Sequence, residues 1–296
     1  MFDKHAKKIL ELIKKRFFCA TIFTKKECFN LSEEEYQKDW VQYYNLDCNN
    51  YLYGLSEKDK YIFLNALRIA SANEETTFPD FVFPNGFIEH FQVTSSKTTR
   101  KGSRQAQAEA PIHNQVQEEI QRLNNRPPEE IVPFEVTSKS WKMKNYPHHS
   151  YENLEFSFHK NWNHHIESAQ KYIGNKEIGV FIIENNDLVL NMIEDLSPVK
   201  GNARYGNLYI PKSFPYYSLV HDKKMLDFMY SFREQVSYVI YITDKELEVI
   251  KLDSIPTIKK MQPFDYQILS STIVSSTHTL FHVTLPNTEK EKSKND

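Results

Sequence analysis

Two stretches of this 296-residue chain, IGVFIIE at Ile178–Glu184 and VSYVIYIT at Val236–Thr243, are apolar at nearly every position, and each follows a segment with helical patterning. Runs this short fall well below the ~20 residues of a membrane helix, so they read as buried strands. The preceding helices are placed at Asn153–Tyr172 and within KKMLDFMYSF, Lys223–Phe232. Strands alternating with helices make an α/β sheet. A content of 40% hydrophobic and 26% charged residues supplies a full core and fits a soluble globular protein.

The first 75 residues read as mostly helical. Ala6, Ile9, Leu10, Ile13 and Phe17 recur at helical spacing with lysines between them, an amphipathic surface helix rather than a signal peptide. Ser32 with Glu35, and Ser56 with Asp59, have the spacing of capping boxes that open two further helices. Three cysteines, Cys19, Cys28 and Cys48, match neither a disulfide framework nor a zinc knuckle, which points to a reducing cytoplasm.

From Phe78 the texture turns aromatic and β-branched, and FPDFVFPNGFIEHFQVTSSK is broken by Asn85-Gly86, a strong hairpin signal. With Asn85 and Gly86 as the two central turn residues, Pro84 pairs with Phe87 and Val82 faces Glu89. Asp80 and Glu89 then lie on one face of the hairpin. A three-residue loop starting at Pro84 instead places Asp80 on a face with His90, Gln92 and Thr94. Carboxylates gathered on one sheet face repel and lose hydration, and a divalent cation is the common remedy. Mg2+ takes oxygen ligands from carboxylates, waters and phosphates, and can activate water for phosphodiester cleavage.

Pro79-Asp80, a short turn, and a strand carrying Glu89 followed by polar residues resemble the core motif of the PD-(D/E)XK, or restriction-endonuclease-like, nucleases. The order of helices, hairpin, helix and strand is similar to that fold as well. The resemblance spans roughly Glu35 to Lys97 and rests on a short, degenerate motif. It implies a central mixed β-sheet flanked by helices, and a Mg2+- or Mn2+-dependent nuclease acting on DNA. Asp80 and Glu89 would hold the metal, with Glu35 added from the first core helix. The lysine expected two residues after the second acid is Phe91 here. Gln92 fits a variant in which glutamine replaces the acid, and Lys97 is the nearest lysine able to take the lysine role. An AT-rich residue usage and the family analogy point to bacterial restriction or phage defence. A nuclease-like protein without catalysis, binding nucleic acid or a partner, and a structural subunit of a larger assembly are the competing readings. A homo-oligomer or a defence-system partner protein fits either.

A net charge of −2 does not mark a nucleic-acid binder, so local patches must carry that reading. The stretch from Thr94 to Gln115 is polar and reads as a mobile loop in which Lys97, Arg100, Lys101 and Arg104 would contact phosphates. A helix follows near Val116–Leu123. The expected organisation is one α/β domain over residues 1–285, a mobile polar insertion near 95–130, and a disordered tail over 286–296.

His148-His149 and His164-His165 are adjacent pairs, and neighbours on a helix diverge by about 100°, so neither pair reads as a zinc site. Glu184 ends an apolar strand, where α/β sheets commonly carry functional groups, and is read as a solvated loop residue. The chain lacks the phosphate-cradling, dinucleotide, nucleophile-elbow and zincin signatures, and its seven glycines leave little room for a phosphate loop.

Overall fold

A computed structural model describes residues 4–19, 49–73, 78–100, 102–127, 130, 132, 134–144, 147–185, 187, 189–195, 211–244, 246–262, 264–270 and 277–284. Glu35, Lys101 and the tail over 286–296 lie outside the described residues. The first elements are α1 (Lys4–Cys19), β1 (Asn49–Tyr53), α2 (Glu57–Ile69), β2 (Ser71–Ala72), β3 (Phe81–Phe83) and β4 (Gly86–Val93). Then come β5 (Thr98–Thr99), β6 (Gly102–Ser103), α3 (Arg104–Asn124), β7 (Val136–Lys142), α4 (Tyr151–Lys171), β8 (Ile178–Asn185) and β9 (Leu190–Asp195). The last are β10 (Ser213–Phe214), α5 (Lys223–Tyr230), β11 (Tyr238–Ile242), β12 (Glu246–Lys251), α6 (Ile255–Lys260), β13 (Asp265–Ser270) and β14 (Thr277–Val283).

The chain divides into two compact units, Met1–Ser95 with Ser150–Ser270, and Ser96–His149 with Ser271–Asp296. The first unit holds a mixed seven-stranded sheet in the order β1-β12-β11-β8-β4-β3-β2. At its centre β4, β8 and β11 run parallel, β3 runs antiparallel to β4 and β2, and β12 is antiparallel to β11 but parallel to β1. Both sheet faces are covered, which is why the sequence of β8 and β11 is apolar almost throughout. On one face, Leu10 and Ile13 of α1 and Phe63 and Leu67 of α2 pack with Ile88, Val180 and Ile182. On the other, Leu154, Phe158, Trp162 and Ile166 of α4 pack with Phe87, Phe91, Phe181 and Ile183. The chain is thus mixed α/β with a central mixed sheet flanked by helices.

Local signals explain the elements. Ser56 caps α2 as the sequence predicts: its hydroxyl accepts from the Asp59 N–H, and the Asp59 carboxylate accepts from the Ser56 N–H. Such a box adds on the order of 1 kcal/mol. In α1 the buried residues Ala6, Ile9, Leu10 and Ile13 form one stripe. Leu10 and Ile13 alone contribute roughly 1.5–3 kcal/mol each by burial, enough to seat α1 on the sheet.

The hairpin differs in register from both sequence readings. Phe83 pairs with Gly86, Val82 with Phe87 and Phe81 with Ile88, so the central turn residues are Pro84 and Asn85. Gly86 belongs to the strand. A Cβ there would lie 1.8 Å from the Ile178 carbonyl oxygen, so this glycine serves close approach to β8 rather than the turn. Continuing the register sets Asp80 opposite Glu89, which keeps both acids on one face. Beyond Ile88, β4 has no strand beside it on the β3 side among the described residues.

In the second unit, β7 and β14 pair antiparallel over seven residues and α3 accompanies them. The polar stretch expected as a loop is largely helical: Ser103 caps α3, its hydroxyl accepting from the Ala106 N–H. Polarity misleads here because the glutamines, alanines and glutamates of this stretch are good helix formers. Among the described residues, no helix is long and apolar enough to cross a membrane.

Candidate metal centre

β4 and β8 are parallel and in register, so Gln92 and Glu184 are cross-strand neighbours near the carboxyl ends of both strands. Alternation sends His90, Gln92 and Glu184 to the face covered by α1. The apolar stripe of α1 docks on that same face and brings His5 from its first turn. Four side chains converge there. The Glu184 Oε2 lies 2.7 Å from His5 Nε2, 3.1 Å from His90 Nε2 and 2.9 Å from Gln92 Nε2. Gln92 Nε2 is also 2.9 Å from His5 Nε2.

The ligand atoms of His5, His90 and Glu184 all lie within 4.8 Å of one another, a grouping that can hold a metal ion. The side chains of His90 and Glu184 are 2% and 6% exposed, whereas His5 is 46% exposed, so the group is rooted in the core and open on one side. A cleft of about 320 Å³ lined by His5, His90, Phe91 and Gln92 gives access to it. Two imidazoles, one carboxylate and an open side make a donor set of the kind that catalytic metal sites use.

Asp80 and Glu89 have different partners. Glu89 is buried, and its Oε2 accepts from the Asp80 N–H at 2.9 Å while its Oε1 meets His165 Nδ1 at 2.7 Å. The Asp80 Oδ2 accepts the His90 N–H at 2.9 Å. Both acids therefore clasp backbone just before β3 begins, beside the continuing β4. Asp80 fixes the residue that carries one imidazole of the metal group. Phe91, at the position where the resemblance calls for a lysine, is buried and stacks on His165 with ring centroids 4.7 Å apart.

The remaining candidates fall elsewhere. Lys97, Arg100 and Arg104 are exposed residues of the second unit, where the Arg104 N–H donates to the Lys97 carbonyl. Of the histidine pairs, His165 is held by Glu89 as above, and buried His149 meets Gln105 Oε1 at 3.1 Å. A cleft of about 240 Å³ in the second unit is lined by Glu119, Arg122 and Lys139, whose charges pair with each other.

Glu184 is no solvated loop residue: it is buried at the sheet centre. Its position at a strand end is a usable signal. His90 enters the sequence reading only through one of two hairpin registers, and His5, 179 residues from Glu184, carries no local signal at all.

A further buried carboxylate, Glu248 on β12, is pushed up to about 8 by burial, which outweighs the hydrogen bonds from Ser218 Oγ and the Val220 N–H. Ser218 Oγ also lies 2.7 Å from His221 Nδ1, and burial pushes that imidazole down to about 4, helped by Lys212. In comparison with known proteins, no family model, no curated protein and no solved structure matches the chain.

Proposed function

We propose that this chain is a divalent-metal-dependent nuclease that hydrolyses phosphodiester bonds in DNA, built on a restriction-endonuclease-like core. The observation that carries the reading is the convergence of His5, His90 and Glu184, with Gln92, at the carboxyl ends of two adjacent parallel strands. That is where open α/β sheets place ligands. The connectivity supports it: α2 leads into the antiparallel run β2-β3-β4, and α4 crosses over to β8 beside β4.

In this reading His5, His90 and Glu184 would hold the cation, and a cation there would supply Lewis-acid chemistry for activating water and stabilising charge on a phosphoryl group. Gln92 borders the bound phosphate or completes the ion's ligands. Asp80 and Glu89 act as positioning residues, Asp80 through the His90 backbone and Glu89 through Asp80 and His165. Lys97, Arg100 and Arg104 supply a salt-dependent contact to the nucleic-acid backbone.

The test is incubation of the purified protein with plasmid DNA and with RNA in Mg2+, Mn2+ or Zn2+, against chelator and against Glu184→Gln. Metal-dependent cleavage lost in Glu184→Gln is the expected result; a wild-type protein that cuts neither polymer with any of these ions removes the reading. A second reading, a nuclease-like protein that binds nucleic acid without cutting it, is favoured by Phe91, which fills the lysine position and is packed into the core. Retained DNA binding with no cleavage would select it.

A further inference from the structure

We infer that the His5–His90–Glu184 group selects an imidazole-preferring transition ion of the Zn2+, Co2+ or Ni2+ class over Mg2+, that Gln92 is its fourth ligand through Oε1, and that the ion ties α1 to the sheet. The inference deepens the hydrolase reading, since it concerns the same site, but it is read out by binding and can stand or fall alone.

The placement of hydrogens leads to it. His5 Nε2, Gln92 Nε2 and Glu184 Oε2 form a triangle with sides of 2.7, 2.9 and 2.9 Å. When His5 Nε2 carries a proton it suits the carboxylate but faces the amide N–H of Gln92. When it carries a lone pair it suits the amide but faces the carboxylate oxygen. One side of the triangle is mismatched in either tautomer. A cation removes the mismatch. The oxygen and nitrogen of a carboxamide exchange places by rotation about the side chain. With that turn Gln92 presents Oε1, and all four groups can offer a lone pair to an ion held among them.

Spacing and donor type agree. Ligands held tetrahedrally at ~2.0–2.2 Å from an ion stand roughly 3.3–3.6 Å apart, and Glu184 Oε2 is 2.7 and 3.1 Å from the two imidazole nitrogens, so these side chains need to spread by only about half an ångström to admit the ion. Mg2+ takes oxygen ligands and keeps several waters, while imidazole suits zinc and its neighbours. The exposed side of His5 leaves room for a water or substrate oxygen on the ion. His5 alone comes from α1, whereas the other three come from β4 and β8, so an ion bound by all four crosslinks helix to sheet.

The full chain, freed of metal by chelation, is titrated calorimetrically with Zn2+, Co2+ and Mg2+, and Co2+ loading is followed by its visible absorption. One equivalent of Zn2+ is expected, with Mg2+ at least about 100-fold weaker, and a rise in Tm on loading. Glu184→Gln should weaken Zn2+ by more than about 100-fold, as a lost ligand exceeds the 10–100-fold effect of an outer partner. His5→Ala removes a half-exposed side chain, is not expected to impair folding, and should weaken Zn2+ and abolish the Tm rise. His148→Ala, an exposed histidine of the second unit, should change nothing.

Zn2+ binding unaltered in both His5→Ala and Glu184→Gln, Mg2+ binding as tight as Zn2+, or no binding by the wild-type chain each overturns the inference. Zn2+ bound through these residues by a protein that cuts no nucleic acid would keep the site and remove the hydrolase. DNA cleavage with Mg2+ that survives His5→Ala would do the reverse.

Discussion

Glu89 and Glu184 are both buried carboxylates on neighbouring central strands, 6% and 5% exposed, yet their surroundings differ in kind. Glu89 has each oxygen matched to a donor, the Asp80 N–H and His165 Nδ1. A single oxygen of Glu184 draws three nitrogens from α1 and β4. The first arrangement satisfies a buried charge by distributing donors. The second gathers three nitrogens at one of its oxygens, and such crowding is what a cation would relieve. A carboxylate's partners, more than its burial, separate a structural acid from a ligand.

The contrast can be broken most decisively at Glu184. Glu184→Gln should lower metal-dependent cleavage and ion affinity by more than about 100-fold with little change in fold, measured by plasmid cleavage, calorimetry and circular dichroism. Glu89→Gln and Asp80→Ala should show the opposite profile. Each leaves a backbone N–H or an imidazole without its acceptor, for a loss of about 1–3 kcal/mol in urea unfolding and no more than the roughly 10–100-fold in ion affinity of an outer partner. A Glu89→Gln protein of normal stability that no longer binds metal would reverse the assignment of the two acids.

Glu248 sharpens the comparison from a third side, because its donors are the Ser218 hydroxyl and the backbone amides of Leu219 and Val220. An unfolded carboxyl near its ordinary value of 4.5 has lost its proton by pH 6.5, while the folded Glu248 keeps it until about 8. The folded state binds more protons in that window, so stability falls as pH rises through it, by at most ~1.4 kcal/mol per pH unit. His221, lowered from 6.5 to about 4, acts mainly below the window with the opposite slope, and its tail above pH 6.5 is common to wild type and variant. Urea midpoints between pH 6.5 and 8 should therefore fall for the wild type relative to those of Glu248→Gln. The smallest effect is expected in the second unit. Joint replacement of Lys97, Arg100 and Arg104 by Gln should reduce the salt slope of duplex binding by roughly 0.9 for each phosphate that is no longer neutralised, and leave ion binding unchanged. An unaltered slope would remove these cations from the interface.

Much of the architecture is legible in the sequence because β8 and β11 are apolar on both faces and α1 and α2 carry one-sided stripes. The helix α3 is not, since a polar sequence looks the same in a loop and on a solvated helix. The hairpin reads one step out of register because Asn85-Gly86 resembles a turn when the glycine in fact accommodates the Ile178 carbonyl. At the site, Gln92 stands out as a variant acid and Glu184 as a strand end. Joining them requires knowing that β4 and β8 are adjacent and parallel, and His5 requires knowing where α1 docks. His5 meets Gln92 across 87 positions and Glu184 across 179, and separations of that size leave no trace in local spacing.

The short length of β3 has a further consequence. It leaves the second half of β4, although its side chains are mostly buried, without a strand on the β3 side among the described residues, the kind of edge with which an extended segment from another chain could pair. Asp80 engages the His90 N–H there and the Asn161 amide engages the Gln92 carbonyl, so two side chains occupy the positions that an intruding strand would need. Besides fixing the His90 backbone, Asp80 thus fills a pairing position that a strand from another chain would have to take.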